Sequence, residues 1–521
     1  MRHPTEVCRL DEFISYWAQQ SPDACACVLA GVRIDYAELE RRVDRMAKAL
    51  LASGVTKGAR VATLSPPNPD FLVCFLATAS IGGIWLGLNP RYQIDELSFV
   101  LQDSAPLILL ARTTIDGRDF SAEIMALQQT PGLAATVALD DTPSHLGMVS
   151  LSTFEYLAER VSHAELEKAR RSVDGFDPCL IVYTSGSTGR PKGALLNHLG
   201  IARFSTTQNE LWPVSPAIAL NYFPINHVAC VCDISTPVLA AGGTVVFMEQ
   251  FDPSVSLKLI EDEGVTYWAS VPSTFQMQTA LPDFDSYDLA SVQLIVWGGA
   301  AAPEHLIRKL LTICPNLATN YAMTETMVIT AQRPTSDIEA LSNCVGRAFP
   351  GVEIKLMQSD GNEARTGDPG EIWVRSEYNL AGYWQRPDAT AEAMSEDGYF
   401  KTGDLAAQRL DGNYQIVGRI KEMYKSGGYN VYPREVEMVL EDHPAVTLVA
   451  VVSKPDPLWQ EVGVAYLVAD SELDPALLAE HCRARLANYK VPKLFIIESS
   501  LPLLPIGKVD KVELKRRAAA L

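Results

Sequence analysis

The sequence predicts an α/β protein in two parts: a large N-terminal domain of parallel-rich α/β sheets with a β-hairpin or barrel portion, and a small α+β C-terminal domain. Three observations carry this expectation. The chain has 521 residues, more than one ordinary core organises. Between about residues 176 and 330, short apolar strands, small-residue turns and amphipathic helices alternate, the pattern of a parallel sheet. Near Asp411-Gly412 the pattern becomes two alternating strands about a turn pair, and a polar, glycine-bearing stretch follows Arg419.

Taken in chain order, the first notable segment is residues 71–88, FLVCFLATASIGGIWLGL, without a charge and just long enough to cross a membrane. Gly82 and Gly83 interrupt it and Asn89-Pro90 ends it, so a buried helix followed by a short core strand is expected instead. Residues 179–183 form a strand that enters a Gly/Ser/Thr loop, with a helix expected beyond the loop. Residues 244–248 are a β-branched strand after Gly242-Gly243, and 265–271 a strand before Pro272-Ser273 and a helix. Residues 292–296 lead through Trp297-Gly298-Gly299 to a helix whose first turn is set by Pro303, where a missing N–H costs nothing. LAAQR and NYQIVG flank Asp411-Gly412 as a hairpin, Pro433 starts a helix, and 448–452 and 462–468 are strands. A boundary at about Lys421 divides residues 1–420 from 421–521, leaving a C-terminal domain of ordinary size.

Hydrophobic residues make up 47% of the chain and charged residues 21%, enough apolar material for a large core, which excludes disorder. The formal charge of −19 and the lack of a basic face exclude nucleic acid as a partner. An anionic ligand must therefore be held by local donors, a metal ion and a few placed cations. The ten cysteines include two C-x-C pairs, Cys25 with Cys27 and Cys230 with Cys232, but no C-x-x-C, so neither a zinc ribbon nor a thioredoxin-like site is indicated. Reduced thiols and an N-terminus, MRHPTEVCRLDEF, without an apolar signal core give a cytoplasmic expectation.

The run Tyr183-Thr-Ser-Gly-Ser-Thr-Gly-Arg-Pro-Lys-Gly193 is the most informative segment. Small residues let backbone N–H groups approach an anion, hydroxyls add donors and Lys192 supplies a point charge, which is phosphate chemistry. The spacing is not that of a Walker loop, since Gly193 follows Lys192. By itself such a loop is more often a surface turn.

Its order and neighbours, however, closely resemble the signature loop of the adenylate-forming superfamily: acyl-CoA synthetases, peptide-synthetase adenylation domains and beetle luciferases. Further segments match that family in order: IGGIWLGLNPRY at 81–92, Tyr321-Ala-Met-Thr-Glu325, Tyr399-Phe-Lys-Thr-Gly-Asp404, Gly418-Arg-Ile-Lys421 and Pro505-Ile-Gly-Lys508. The resemblance implies a mobile small domain that rotates on a hinge at Lys421. It implies that Thr184, Ser185, Gly186, Ser187, Thr188, Gly189 and Lys192 wrap the β- and γ-phosphates of ATP, that Thr324 lies near the α-phosphate and that Glu325 holds Mg²⁺. Tyr321 is expected to stack on adenine, with Gly299, Ala300 and Ala301 as the other wall of the slot; Ala322 departs from the family's usual glycine. Asp404 is expected on the ribose hydroxyls with Arg419 beside it, and Lys508 at the reacting carboxylate and phosphate, where negative charge develops. Ser426, Gly427 and Gly428 are expected to line a pantetheine tunnel for coenzyme A.

Residues 223–227, FPINH, resemble the family's P-x-x-H segment, whose histidine gates the acyl pocket, so His227 takes that expectation. Peptide-synthetase domains carry an acid in this region for the substrate's ammonium; Asn226-His227 offers none, although Asp233 lies six residues on. Val228, Cys232, Trp297, Gly298, Met323 and Met327 are expected to furnish an adaptable apolar wall. The function implied is an AMP-forming acyl-CoA ligase for a hydrophobic fatty, steroid or polyketide, or aryl acid. The alternatives are a stand-alone adenylating enzyme that loads a carrier protein, or a non-catalytic nucleotide-binding relative. A homodimer is compatible with the sequence.

Overall fold

The computed structural model describes residues 3–140, 146–184, 191–469, 473–504 and 507–521. A nine-stranded sheet runs in the spatial order Arg347–Ala348, Met327–Ala331, Leu317–Met323, Leu294–Trp297, Tyr267–Ser270, Ile218–Asn221, Thr244–Phe247, Cys25–Leu29, Val32–Asp35. From Leu317–Met323 to Cys25–Leu29 every pairing is parallel, and antiparallel strands close the edges. An eight-stranded sheet runs Gly382–Tyr383, Lys192–Asn197, Pro178–Thr184, Ile84–Leu88, Arg60–Leu64, Ile108–Ala111, Ala135–Ala138, Val149–Ser150.

One core joins the two sheets. Side chains alternate across each strand, so Trp85 and Val61 face the shared core while Ile84, Leu86 and Ala62 face a second cluster on the outer side. Leu294 and Val296 of the other sheet complete the shared core. The helix Pro69–Ser80 lies within it, with all its residues from Phe71 to Ser80 buried, which accounts for the charge-free run. Asn68 caps it by accepting a hydrogen bond from the Phe71 N–H at 3.0 Å. The helix and the strand Ile84–Leu88 that follows are those expected, and no helix is long and apolar enough to cross a membrane among the described residues.

A four-stranded antiparallel sheet follows, in the order Glu353–Met357, Pro369–Arg375, Phe400–Gln408, Tyr414–Arg419, its last two strands being the expected hairpin. The C-terminal sheet pairs Val446–Asp456 with Gln460–Ala469, flanked by Tyr424–Ser426, Tyr429–Val431 and a parallel Leu494–Glu498. Val449 and Val451 face the helices Pro433–Glu441 and Pro475–Arg483, whereas Ala450 and Val452 face the final helix Lys511–Ala518. None of the ten cysteines forms a disulfide.

One local expectation is corrected. The glycine-rich loop does not lead into a helix: Lys192–Asn197 is a strand antiparallel to Pro178–Thr184, with Thr184 opposite Lys192, and the helix starts only at His198. Ala194 and Leu196 face the shared core and Leu195 the outer cluster, so both faces are apolar, and a short run of this kind has no periodicity to separate strand from helix.

The two sheets meet closely at Gly87. A Cβ there would stand 2.7 Å from the Ile225 carbonyl oxygen and 2.9 Å from the Asn226 nitrogen, so the chain before His227 rests directly on the strand. Gly87→Ala is expected to destabilise the fold by about 1–3 kcal/mol through overpacking against backbone, measured as a lower urea midpoint at unchanged slope.

Candidate active site

The parallel strands of the nine-stranded sheet deliver their C-terminal ends to one crevice, the place where open α/β sheets bind ligands. Val271 and Ser273 follow the strand Tyr267–Ser270, Gly298 and Gly299 follow Leu294–Trp297, and Tyr321 lies near the C-terminal end of Leu317–Met323. Lys508 of the small domain enters this crevice. A Cβ on Gly299 would lie 2.6 Å from Lys508 Cε and 3.3 Å from its Nζ, and Gly299 has φ +81°, so glycine alone suits both the space and the backbone. The turn that presents Lys508 is held from both sides. Ser273 Oγ donates to the Gly507 carbonyl at 2.9 Å, and the Leu504 N–H donates to the Lys508 carbonyl at 2.7 Å.

Lys508 shares the crevice with charged neighbours. Burial and the Arg419 guanidinium hold its ammonium down to about 8, against the opposing pull of Asp404. Asp404 is itself 3% exposed. Its Oδ2 accepts from the Tyr321 hydroxyl at 2.5 Å and its Oδ1 lies 2.9 Å from Arg419 Nε. Burial raises the Asp404 carboxyl and Arg419 counteracts it. Tyr321 is thereby fixed through its hydroxyl with its ring beside the crevice. Ala300 is exposed and Ala301 half-buried, flanking Gly299 as an open wall.

His227 sits on the loop that rests on Gly87. Its Nδ1 accepts from the Ala229 N–H at 3.1 Å, which puts the proton of the neutral ring on Nε2. Burial, then Lys508, pull the imidazole down to about 4, so it is neutral at physiological pH.

Thr324 and Glu325 stand at the tip of a tight hairpin in which Met323 pairs with Met327, and Met327 adopts a left-handed φ of +56°. Glu325 is 7% exposed, and its Oε1 accepts from the Tyr383 hydroxyl at 2.9 Å. Burial raises this carboxyl and the bond from Tyr383 opposes the rise. Tyr383 also carries Lys192 Nζ 5.1 Å from its ring centroid. Lys192 and Glu325, 133 residues apart in sequence, thus meet across one aromatic ring. Tyr383 was not among the expected site residues. It lies in the two-residue strand Gly382–Tyr383, and nothing in the sequence spacing shows that this strand pairs beside Lys192–Asn197. Thr184 Oγ1 donates to the Lys192 carbonyl at 3.4 Å at the mouth of the loop, while Ser185, Gly186, Ser187, Thr188 and Gly189 lie outside the described residues.

The expected acyl wall is brought together only in part. Met323, Gly298 and His227 keep accessible surface, whereas Val228, Cys232 and Met327 are buried in the shared core. Trp297 is corrected: it is 1% exposed in the cluster behind the sheet, with Trp268, Leu306, Ile307 and Leu310. Strand alternation is the cause, since Val296 takes the core-facing side and Trp297 the other. Lys421 is exposed just beyond the strand Tyr414–Arg419, next to Ile420, whose N–H donates to the Gly403 carbonyl at 2.9 Å. Gly427 and Gly428, at φ +59° and +85°, make the two-residue turn after buried Ser426, on the small domain's own hairpin against Trp459. Among the described residues no group of three or more His, Cys, Asp or Glu side chains is placed to hold a metal.

Two family models match: AMP-binding enzyme over residues 14–384, and AMP-binding enzyme C-terminal domain over 435–508. The chain belongs to the AMP-binding enzyme family, in its acyl-CoA ligase branch. Among relatives of this AMP-binding enzyme, a feruloyl-CoA synthase of Amycolatopsis sp. is 36% identical over 96% of this chain and 97% of its own. An indoleacetate–CoA ligase of Aromatoleum aromaticum is 34% identical over 98% of both. The crystal structure of ATP-bound MatB from Rhodopseudomonas palustris superposes with a TM-score of 0.83 at 29% identity, over 98% of this chain and 99% of its own.

Tyr383→Phe removes the donor that faces a buried carboxylate. It is expected to cost about 1–3 kcal/mol of stability at pH 7 and less at pH 4, where the now unpaired Glu325 takes up a proton. Urea unfolding at the two pH values measures the difference.

Proposed function

We propose that this AMP-binding enzyme activates a hydrophobic carboxylic acid with ATP, forming acyl-AMP and pyrophosphate, and then transfers the acyl group to coenzyme A with release of AMP. The observation that carries the reading is Lys508: a small-domain ammonium seated on Gly299, at the strand ends, beside His227 and the Asp404–Arg419 pair.

In the first step a carboxylate oxygen bonds to the α-phosphorus and the bond to pyrophosphate breaks. Two anions must approach, and the Lys508 ammonium lowers their repulsion where charge accumulates. His227, neutral with its proton on Nε2, donates to the carboxylate without adding a second cation beside Lys508. Lys192, at the end of the glycine-rich loop, neutralises the departing pyrophosphate, and Thr184, Ser185, Gly186, Ser187, Thr188 and Gly189 supply hydroxyls and backbone donors. Thr324, at the hairpin tip, takes the α-phosphate. Tyr321, anchored through its hydroxyl, offers its ring face to adenine opposite Gly299, Ala300 and Ala301. Asp404 accepts from the ribose hydroxyls at the lone pairs that its bonds from Tyr321 and Arg419 leave open.

The donor set fits Mg²⁺, which takes oxygen ligands and keeps waters and phosphate oxygens instead of a full protein cage. Glu325, whose Oε1 is fixed by Tyr383, would hold it, and the ion would supply neutralisation of phosphate charge.

The second step needs Lys508 out of the crevice. Residues 421–521 turn as a unit on 1–420 about Lys421, which brings Ser426, Gly427 and Gly428 to the thiol's path; two positive-φ glycines leave that hairpin low enough for a pantetheine arm to pass. Relatives named for coenzyme A esters of aryl and indolyl acids support a thiol acceptor and favour an aryl acid among the hydrophobic acids.

Lys508→Ala is expected to lower acyl-AMP formation at least 100-fold while acyl-CoA formation from supplied acyl-AMP stays within a factor of about three. Equal loss of both half-reactions removes the assigned role. The kcat/KM for ATP in acid activation is expected to fall as pH rises through about 8, because Lys508 is neutral above that value. The limb in kcat should lie higher, since bound phosphates favour the ammonium. A kcat/KM that still climbs at pH 9 contradicts the assignment.

A further inference from the structure

The segment after His227 is a single π-helical stretch, Ala229–Ser235, packed between the helix His198–Leu211 and the strand Ile218–Asn221. Five of its seven residues are buried, and Ala229 and Asp233 alone keep accessible surface. Four residues apart, they lie one above the other on the same side of the turn. That side faces the interior, not the outer surface. Ala229 bonds His227 through its N–H, and Asp233 Oδ1 has no accessible surface. On the nine-stranded sheet, Ala269 of the strand Tyr267–Ser270 is half-buried although that strand is central. Tyr267, two residues from Ala269 on the same strand face, feels the Asp233 charge, as does Cys232.

Asp233 is chemically out of place in so buried a segment. Its Oδ1 is buried without a hydrogen-bond partner, and so is Oε1 of Gln208, whose amide nitrogen holds the Asp233 carbonyl at 2.8 Å. No cation offsets the carboxyl, and burial alone pushes it up to about 7. Buried acceptors without donors cost about 1–3 kcal/mol each, so native structures keep them where a ligand or water completes the bond. The carboxylate end of the acid is assigned to His227, and Asp233 lies six residues further along the chain, within the same π-helical stretch as Ala229.

We propose that Asp233 determines substrate specificity, accepting a hydrogen bond from a hydroxyl or ring N–H at the far end of the acid whose carboxylate lies at His227. This rests on the ligase reading and narrows it: the acid is apolar along Ala229 and Ala269 and ends in a donor. A purely hydrophobic acid leaves Asp233 and Gln208 unpaired and is bound less well. An aryl acid with a ring donor meets both requirements.

The test is pyrophosphate release, with ATP, magnesium and coenzyme A, from two pairs of acids that differ by one hydroxyl: 4-hydroxycinnamate with cinnamate, and 3-(4-hydroxyphenyl)propanoate with 3-phenylpropanoate. The wild-type chain is expected to favour the hydroxylated member of at least one pair by about tenfold or more in kcat/KM. Asp233→Val is expected to remove or reverse the preference while retaining turnover of the plain acid. Asp233→Asn, which keeps an acceptor oxygen and nearly the same shape, is expected to retain part of the preference and serves if the valine variant does not fold. Equal use of both members by the wild type overturns the proposal. A matching loss on both members in either folded variant also overturns it, and marks Asp233 as the seat of a structural water. No pyrophosphate from any of the four acids overturns this proposal, and only a blank extended to fatty and steroid acids overturns the ligase reading, so the two failures are distinct.

Discussion

Two cations, Arg419 and Lys508, stand close together at the crevice, and the rest of the site depends on the carboxylate that lets them do so. Asp404 is nearly fully buried, bonded by Tyr321 and paired with Arg419, and it draws Lys508 the same way. Its buried charge would be costly alone and is sustained by these partners. The balance is not complete, since Lys508 remains well below the usual lysine value. An incoming triphosphate supplies the missing negative charge. In the proposed reaction, nucleotide binding and the seating of Lys508 are coupled through this one cluster of charges.

The scaffold that brings these groups together is a pair of sheets pressed on one apolar helix. Pro69–Ser80 has no polar face to turn towards solvent, so it must be covered from both sides, and the covering elements include the strands that end at the site. Where sheets and domain meet, glycine sets the separation. Gly87 lets the His227 loop rest on a strand and Gly299 lets Lys508 lie on backbone; each contact would fail with a methyl group in the way. The same closeness explains how a loop, a hairpin tip and a two-residue strand contribute Lys192, Glu325 and Tyr383 to one contact.

Sequence alone determined the nature of the chain. The alternation of apolar strands with helices, the turn pair at Asp411-Gly412 and the ordered motifs were enough for the two-part α/β architecture and the AMP-binding family, because these depend on local patterns and on residue types whose chemistry admits few uses. Tertiary structure decided which side chains meet. It turned Trp297 away from the crevice by strand alternation, made the segment after the phosphate loop a strand, brought Tyr383 between Lys192 and Glu325, and left Asp233 Oδ1 buried without a partner. Burial and pairing are relations between residues far apart in the chain, and a linear pattern of residue types holds no measure of that distance.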